Sequence, residues 1–249
     1  MTPLVPLCLA AFVAGFVDAI VGGGGLIQLP ALLVVLPEAP VATVFGTNKL
    51  ASFAGTSVAL YRYAQTIAIP WRQIGPGAAF AFGGSFLGAR LVSLIPSDIL
   101  RPLVLVLLIG VAVYTAWRKD FGKHARKPPE RAVLIGIALG LGIGFYDGFF
   151  GPGTGSFFVF AFVGLLGMGF LEASAGAKLC NMATNLAALA WFLPHGSVRY
   201  DLALPMGACN IAGSVLGTRL AILHGSGFVR TFFLLVVSGL ILKIAWDLG

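Results

Sequence analysis

Apolar runs fill the chain from its first residues to its last, broken at short intervals by Pro, Gly and charged residues. Divided at those breakers, the first half holds segments 4–21, 25–37, 42–61, 73–92 and 99–117, and the second holds 132–150, 154–167, 172–193, 202–221 and 228–247. A helix needs about 20 apolar residues to cross a bilayer, and the segments lack the polar/apolar alternation of a membrane β-strand. The pattern therefore predicts an all-α polytopic membrane protein. Segment 25–37 is short for a crossing. It and segment 4–21 either both span or form a hairpin that turns within the membrane, and the two alternatives have the same parity.

The one clearly hydrophilic interval, "WRKDFGKHARKPPER" from Trp117 to Arg131, divides the chain almost equally. Moving the first half along by 129 residues places Asp18 on Asp147, Gly22 on Gly151, Gly24 on Gly153, Lys49 on Lys178, Pro76 on Pro205 and Trp117 on Trp246. The same shift sets "GSFLGARL" on "GSVLGTRL". Matched Asp, Lys, Pro and Trp at a single shift point to duplication. The expected organisation is a first membrane repeat over 1–117, a basic cytoplasmic linker over 118–131 and a second repeat over 132–249. Five segments is an odd number, so the second repeat is expected to be inverted, a plan in which substrate sits near the midplane between the halves.

Composition agrees with the segment pattern. Hydrophobic residues make up 58% and charged residues 10%, with 34 Gly and 20 Phe; the mean hydropathy is +0.97. The net charge of +7 is concentrated in short loops. Placing the central linker in the cytoplasm also puts Arg62, Arg72, Arg219 and Arg230 inside, as the positive-inside rule requires, so nucleic acid is not the expected partner. Cys8, Cys180 and Cys209 lie in apolar segments without metal-ligand spacing and are expected as free thiols. "MTPLVPLCLAAFV" lacks a basic n-region and reads as the start of the first helix.

Two motif pairs carry candidate chemistry. "GGGG" at Gly22–Gly25 and "GPGTGS" at Gly151–Ser156 break helices at membrane depth, which is tolerated where protein covers the backbone or a watery cavity reaches it. The helices beginning there would turn free N–H groups toward an anion, making Gly23, Gly24, Gly153 and Thr154 candidate wall residues. The other reading is that the glycines only allow close helix approach, as expected in "GSFLG" and "GSVLG". Next, "GTNKLAS" and "GAKLCNMATN" each set a lysine in an apolar segment. A cation at the bilayer centre costs about 2.5–3.5 kcal/mol, so Lys49 and Lys178 either face a polar cavity, with Asn48, Asn181 and Asn185, or snorkel to the interface. Asp18 and Asp147 are read as proton carriers or counter-ions of the lysines, or else as caps on exposed amides. His124, His195 and His224 fall in expected loops, and Arg90 and Arg219 are expected to anchor at the headgroups.

These motifs, together with "GFFGPGTGSFF", "AGAKLCNMATNLAALAWF" and "NIAGSVLGTRLAILHGSGFVR", are similar to those of the TauE/SafE group of sulfite exporters and related sulfonate permeases, over essentially the whole chain. One departure is "GAK" in the second half against "TNK" in the first, which leaves Asn48 without a twin. The resemblance implies a multi-pass transporter of the cell inner membrane. It would move small sulfur-containing anions such as sulfite, sulfoacetate or other sulfonates, with proton coupling and no cofactor or metal. A passive anion channel and a carrier of a different organic anion stay open as alternatives. Neither an H-E-x-x-H nor a G-x-S-x-G motif is present, so an enzyme is not expected.

Overall fold

The structure, a computed structural model, describes residues 4–99 and 129–248, with side chains to Val229 and at 231–232. The described residues are helical, without strands. The first half contributes α1 (Leu4–Val21), α2 (Gly25–Val35), α3 (Val41–Thr66) and α4 (Trp71–Ser93). The second contributes α5 (Ala132–Phe149), α6 (Thr154–Leu166), α7 (Phe170–Phe192) and α8 (Tyr200–Leu248). The expected segment 99–117 and nearly all of the linker lie outside the described residues.

Two apolar clusters mark the two ends of the bundle. One gathers Leu7, Leu32, Val41, Val92, Phe192 and Leu202; the other gathers Val21, Tyr63, Ile74, Ala132, Leu166 and Phe170. Thus α1 starts at the end where α5 finishes, and the two halves run in opposite senses. Leu29 and Leu32 of α2 share a cluster with Leu7 and Ala11 of α1, so the chain turns back after Val21. Helices α2 and α6, of 11 and 13 residues, rise roughly 16 and 20 Å, little more than half a bilayer. Of the two alternatives for the short segments, the hairpin is the one found.

The halves are interlocked. Helix α1 packs along α8, and α5 packs along α4, so each half's first helix lies on the other half's fourth. The small-residue motifs make both contacts. A Cβ on Gly84 would come within 2.8 Å of Phe145 N, and one on Gly213 within 2.8 Å of Phe16 N, equivalent approaches at positions 129 residues apart. With no hydrophobic drive between helices in lipid, backbone contact of this kind is what holds them together.

Helices α1, α5 and the Tyr200–Val229 part of α8 are long and apolar enough to cross a membrane. Helices α3, α4 and α7 have the length, at 26, 23 and 23 residues. Helices α3 and α7 give up uniform apolarity to the polar residues they turn inward. The expected break near residue 224 is a kink at Gly225 (φ 68°, ψ −165°) inside α8. That non-helical residue separates two helices that follow each other directly, so the break lies where the segments predict it, and His224, expected in a loop, closes the helix before it. His195 lies in a turn as expected, and His124 lies outside the described residues.

Gly83 and Gly84 make a matched test of this packing. A side chain at Gly83 meets nothing within 4 Å, whereas one at Gly84 strikes the α5 backbone. Gly84→Val is expected to cost at least about 1–3 kcal/mol and to lower the melting temperature of the detergent-solubilised protein. Gly83→Val is expected to leave the melting temperature unchanged.

Candidate functional site

The two glycine turns meet at the centre of the bundle. Gly22 (φ 77°) and its counterpart Gly151 (φ 94°) both take the left-handed conformation that side chains disfavour. The next left-handed residue is Gly23 in the first half but Gly153 in the second, because Pro152 stands at the position of Gly23 and its ring holds φ negative. The turns touch: a Cβ on Gly155 would lie 2.7 Å from Gly22 Cα. The N-cap residues Gly24 and Gly153 have no side chain to cap with. The Leu26, Ile27 and Gln28 N–H groups donate to Gly23 O and Gly24 O, and Thr154 N–H to Gly151 O, which leaves the amides of Gly25 and Gly155, both in the wall of the central space, as the ones available to a guest.

Ending α1 at membrane depth strands its last carbonyls, and hydroxyls from three other helices take them. Tyr63 Oη donates to Ala19 O (2.8 Å), Ser174 Oγ to Ile20 O (2.9 Å) and Ser156 Oγ to Val21 O (3.2 Å). At the second turn, Tyr146 Oη donates to Pro152 O (2.7 Å) and Thr154 Oγ1 to Gly151 O (2.6 Å). These bonds supply what water would supply outside the membrane.

Each lysine is bound by the carboxylate of the opposite half. Lys49 Nζ lies 2.5 Å from Asp147 Oδ2, and Lys178 Nζ lies 2.8 Å from Asp18 Oδ2. Lys49 is 4% exposed and Lys178 fully buried, so neither snorkels. Asp18 and Asp147 thus each face a buried ammonium. Thr56 Oγ1 also lies 3.5 Å from Asp18 Oδ2.

A cavity of about 40 Å³ opens between the turns and the midsections of α3 and α7. Its wall includes Asp18, Gly23, Gly24, Asn48, Lys49, Asp147, Gly153, Thr154, Asn181 and Asn185, ten of the eleven residues the sequence singled out. Lys178 is the exception: it sits behind the wall, its ammonium on Asp18. Asn48 and Asn181 are 8% and 7% exposed, and their Oδ1 atoms have no hydrogen-bond partner. Both amides line the cavity, with an acceptor left unsatisfied. Arg90 and Arg219 are exposed and away from the cavity, and Arg90 lies over the Trp191 ring at 5.9 Å. Among the described residues, no cluster of His, Cys, Asp or Glu is arranged to hold a metal ion.

Sequence reasoning passed over Ser52, Thr56 and Asn210, which also line the cavity. A signal existed for the first two, since the 129-residue shift places Ser52 on Asn181 and Thr56 on Asn185. Asn210 falls on Ala81, so the repeat carries no signal for it.

The sequence profile of the family described as "Sulfite exporter TauE/SafE" matches residues 7–244. The chain is 37% identical over 244 residues to a "Probable membrane transporter protein ORF9" of Sinorhizobium sp, covering 97% of this chain and 92% of that protein. It is 36% identical to a "Probable membrane transporter protein" of Haemophilus influenzae, over 96% of this chain and 92% of the relative. It is 32% identical to the "Probable membrane transporter protein YfcA" of Escherichia coli, over 97% and 89%. No solved structure matches the chain. A profile match over nearly the full length, with relatives this similar, means that the chain belongs to the sulfite exporter TauE/SafE family of multi-pass membrane transporters.

Proposed function

We propose that the protein is a secondary transporter that moves a small sulfur-containing oxyanion, such as sulfite, sulfoacetate or another sulfonate, across the cell inner membrane by alternating access coupled to protons. The observation that carries this reading is the Lys49–Asp147 pair, which lines a small cavity beside the N-termini of α2 and α6. A sulfite or sulfonate group has several acceptor oxygens and needs only donors: an ammonium, amide N–H groups and backbone N–H groups. The cavity takes a group of a few heavy atoms, which matches the oxyanion head and leaves little room for more.

Without substrate, each ammonium is neutralised by a carboxylate, and the pairs have no net charge. An entering anion competes with Asp147 for Lys49. A proton on Asp147 removes that competition and keeps the site neutral, so anion and proton enter together. The second pair, Lys178–Asp18, holds the corresponding position in the inverted half, behind the wall. Opening one pair as the other closes would move access from one side to the other.

Uptake of radiolabelled sulfite into proteoliposomes tests this reading. Saturable flux, counterflow and a response to an imposed pH gradient are expected. Unsaturable, electrically detectable conductance would identify a passive channel, and flux of carboxylates in preference to sulfur anions a different carrier. In Lys49→Ala, affinity for the anion is expected to fall roughly 10- to 100-fold, the loss of about 1.5–3 kcal/mol for a charged hydrogen bond. Asp147→Asn, which imitates the protonated carboxyl, is expected to bind anion and to lose the response to pH.

The buried pair makes a separate prediction about stability. Lys49→Met strands the Asp147 carboxylate and is expected to cost about 3–5 kcal/mol, while Lys49→Met/Asp147→Leu recovers most of it. A double-mutant cycle on thermal melting checks this. A loss in the double variant equal to the sum of the losses in Lys49→Met and Asp147→Leu alone would show that the pair is not coupled.

A further inference from the structure

Most of the cavity is built twice, but one part of its wall is not. Asn210 of the wall and Gln28 behind it correspond under the 129-residue shift to Ala81 and Phe157. With one backbone carbonyl they form a relay: Gln28 Nε2 donates to the backbone O of Asn48 (3.3 Å), and Asn210 Nδ2 donates to Gln28 Oε1 (2.9 Å). Gln28 is fully buried and Asn210 is 4% exposed. The relay joins the first half to the second, and its mirror-related positions hold no polar side chain, so its presence on one side of the site alone calls for a reason beyond folding.

The relay has a fixed direction. The Asn48 carbonyl can only accept, so it holds the Gln28 nitrogen, and the Gln28 oxygen then faces Asn210. Asn210 must answer with its own nitrogen. Its Oδ1 is consequently turned away, toward the Ser214 hydroxyl at 3.5 Å and the space above Gly55 and Gly15. A methyl on Gly55 would fall on Asn210 Oδ1 and Ser214 Oγ. At the positions equivalent under the shift Thr184 replaces Gly55 and Ala81 replaces Asn210, so the room and the amide are present together or absent together. With one N–H on Gln28 and the oxygen turned away, the second N–H is what Asn210 can offer to the cavity it lines.

We infer that Asn210 is a further substrate-contacting residue, a preset N–H donor held by Gln28, and that it makes the site select a fully deprotonated oxyanion face over a hydroxyl-bearing or protonated one. Asn210 cannot rotate without losing Gln28. It therefore orients the anion on one side of a site otherwise symmetric in its charges. The inference rests on the anion-transport reading above.

The test measures binding of methanesulfonate, an anion whose charge does not titrate, to the purified full-length protein in detergent. Asn210→Asp keeps the side chain's size and replaces the donor with a charged acceptor. We expect at least tenfold weaker binding at neutral pH, partly restored in acid as the new carboxyl gains a proton and can donate again. Wild type at the same pH values accounts for Asp18, Asp147 and Lys49, which share the cavity. Gln28→Met, which leaves Asn210 in place but free to turn, is expected to weaken binding as well, and it carries the test if Asn210→Asp does not fold. Binding with undiminished affinity in both variants, or a loss that acid does not restore in Asn210→Asp, would overturn the inference alone. Failure of wild type to bind methanesulfonate or sulfite would overturn the anion reading and the inference with it.

Discussion

A lysine ammonium placed at mid-membrane must have a partner, since neither water nor lipid supplies one at tolerable cost. In this protein the partner always comes from the other half of the chain: Asp147 for Lys49 and Asp18 for Lys178. Much of the architecture follows from that requirement. The aspartates lie four residues before the glycine turns, so holding them against the lysines brings both turns to the centre, Gly22 against Gly155. Exchange of first and fourth helices between the halves, through Gly84 and Gly213, keeps the two sets of charges in register. Breaking the helices strands carbonyls, and Tyr63, Ser174 and Ser156 answer for those.

The same requirement makes the site usable. A lysine held by a carboxylate is stable when empty, yet one of its bonds can be exchanged for a bond to a guest anion. The amides of Gly25 and Gly155 in the cavity wall provide further donors without having to be rebuilt. The cavity touches one ion pair directly and the other through its aspartate alone. An inverted pair of repeats that exchanged those roles would present the same chemistry to the opposite side.

Much of this was legible in the sequence because charged residues are rare in it and a single shift aligned them. Asp18, Asp147, Lys49 and Lys178 stood out as costly residues in apolar segments, and the glycine runs marked the turns. Pairing was not legible: the shift relates Asp18 to Asp147, and nothing in it says that each serves the lysine of the other half. The carbonyl-capping hydroxyls were hidden for a similar reason, since Ser174 and Ile20 are brought together only by the fold. Lys178 was expected in the same wall as Lys49, and its withdrawal reflects an asymmetry that no symmetric motif encodes. Ser52 and Thr56 were legible through their asparagine twins, and were passed over because hydroxyls cost little in a helix. Asn210, opposite an alanine, had no signal.

The central claim is that the space between the glycine turns, at Lys49, is where the anion binds. Selenite is the selenium analogue of sulfite, and its anomalous scattering locates it without ambiguity in crystals of the protein. The account predicts a selenium peak in the central cavity, within hydrogen-bonding reach of Lys49 Nζ and the amides of the Gly153–Gly155 turn. Selenium bound elsewhere, with the central cavity empty and the Lys49–Asp147 pair undisturbed, would contradict it.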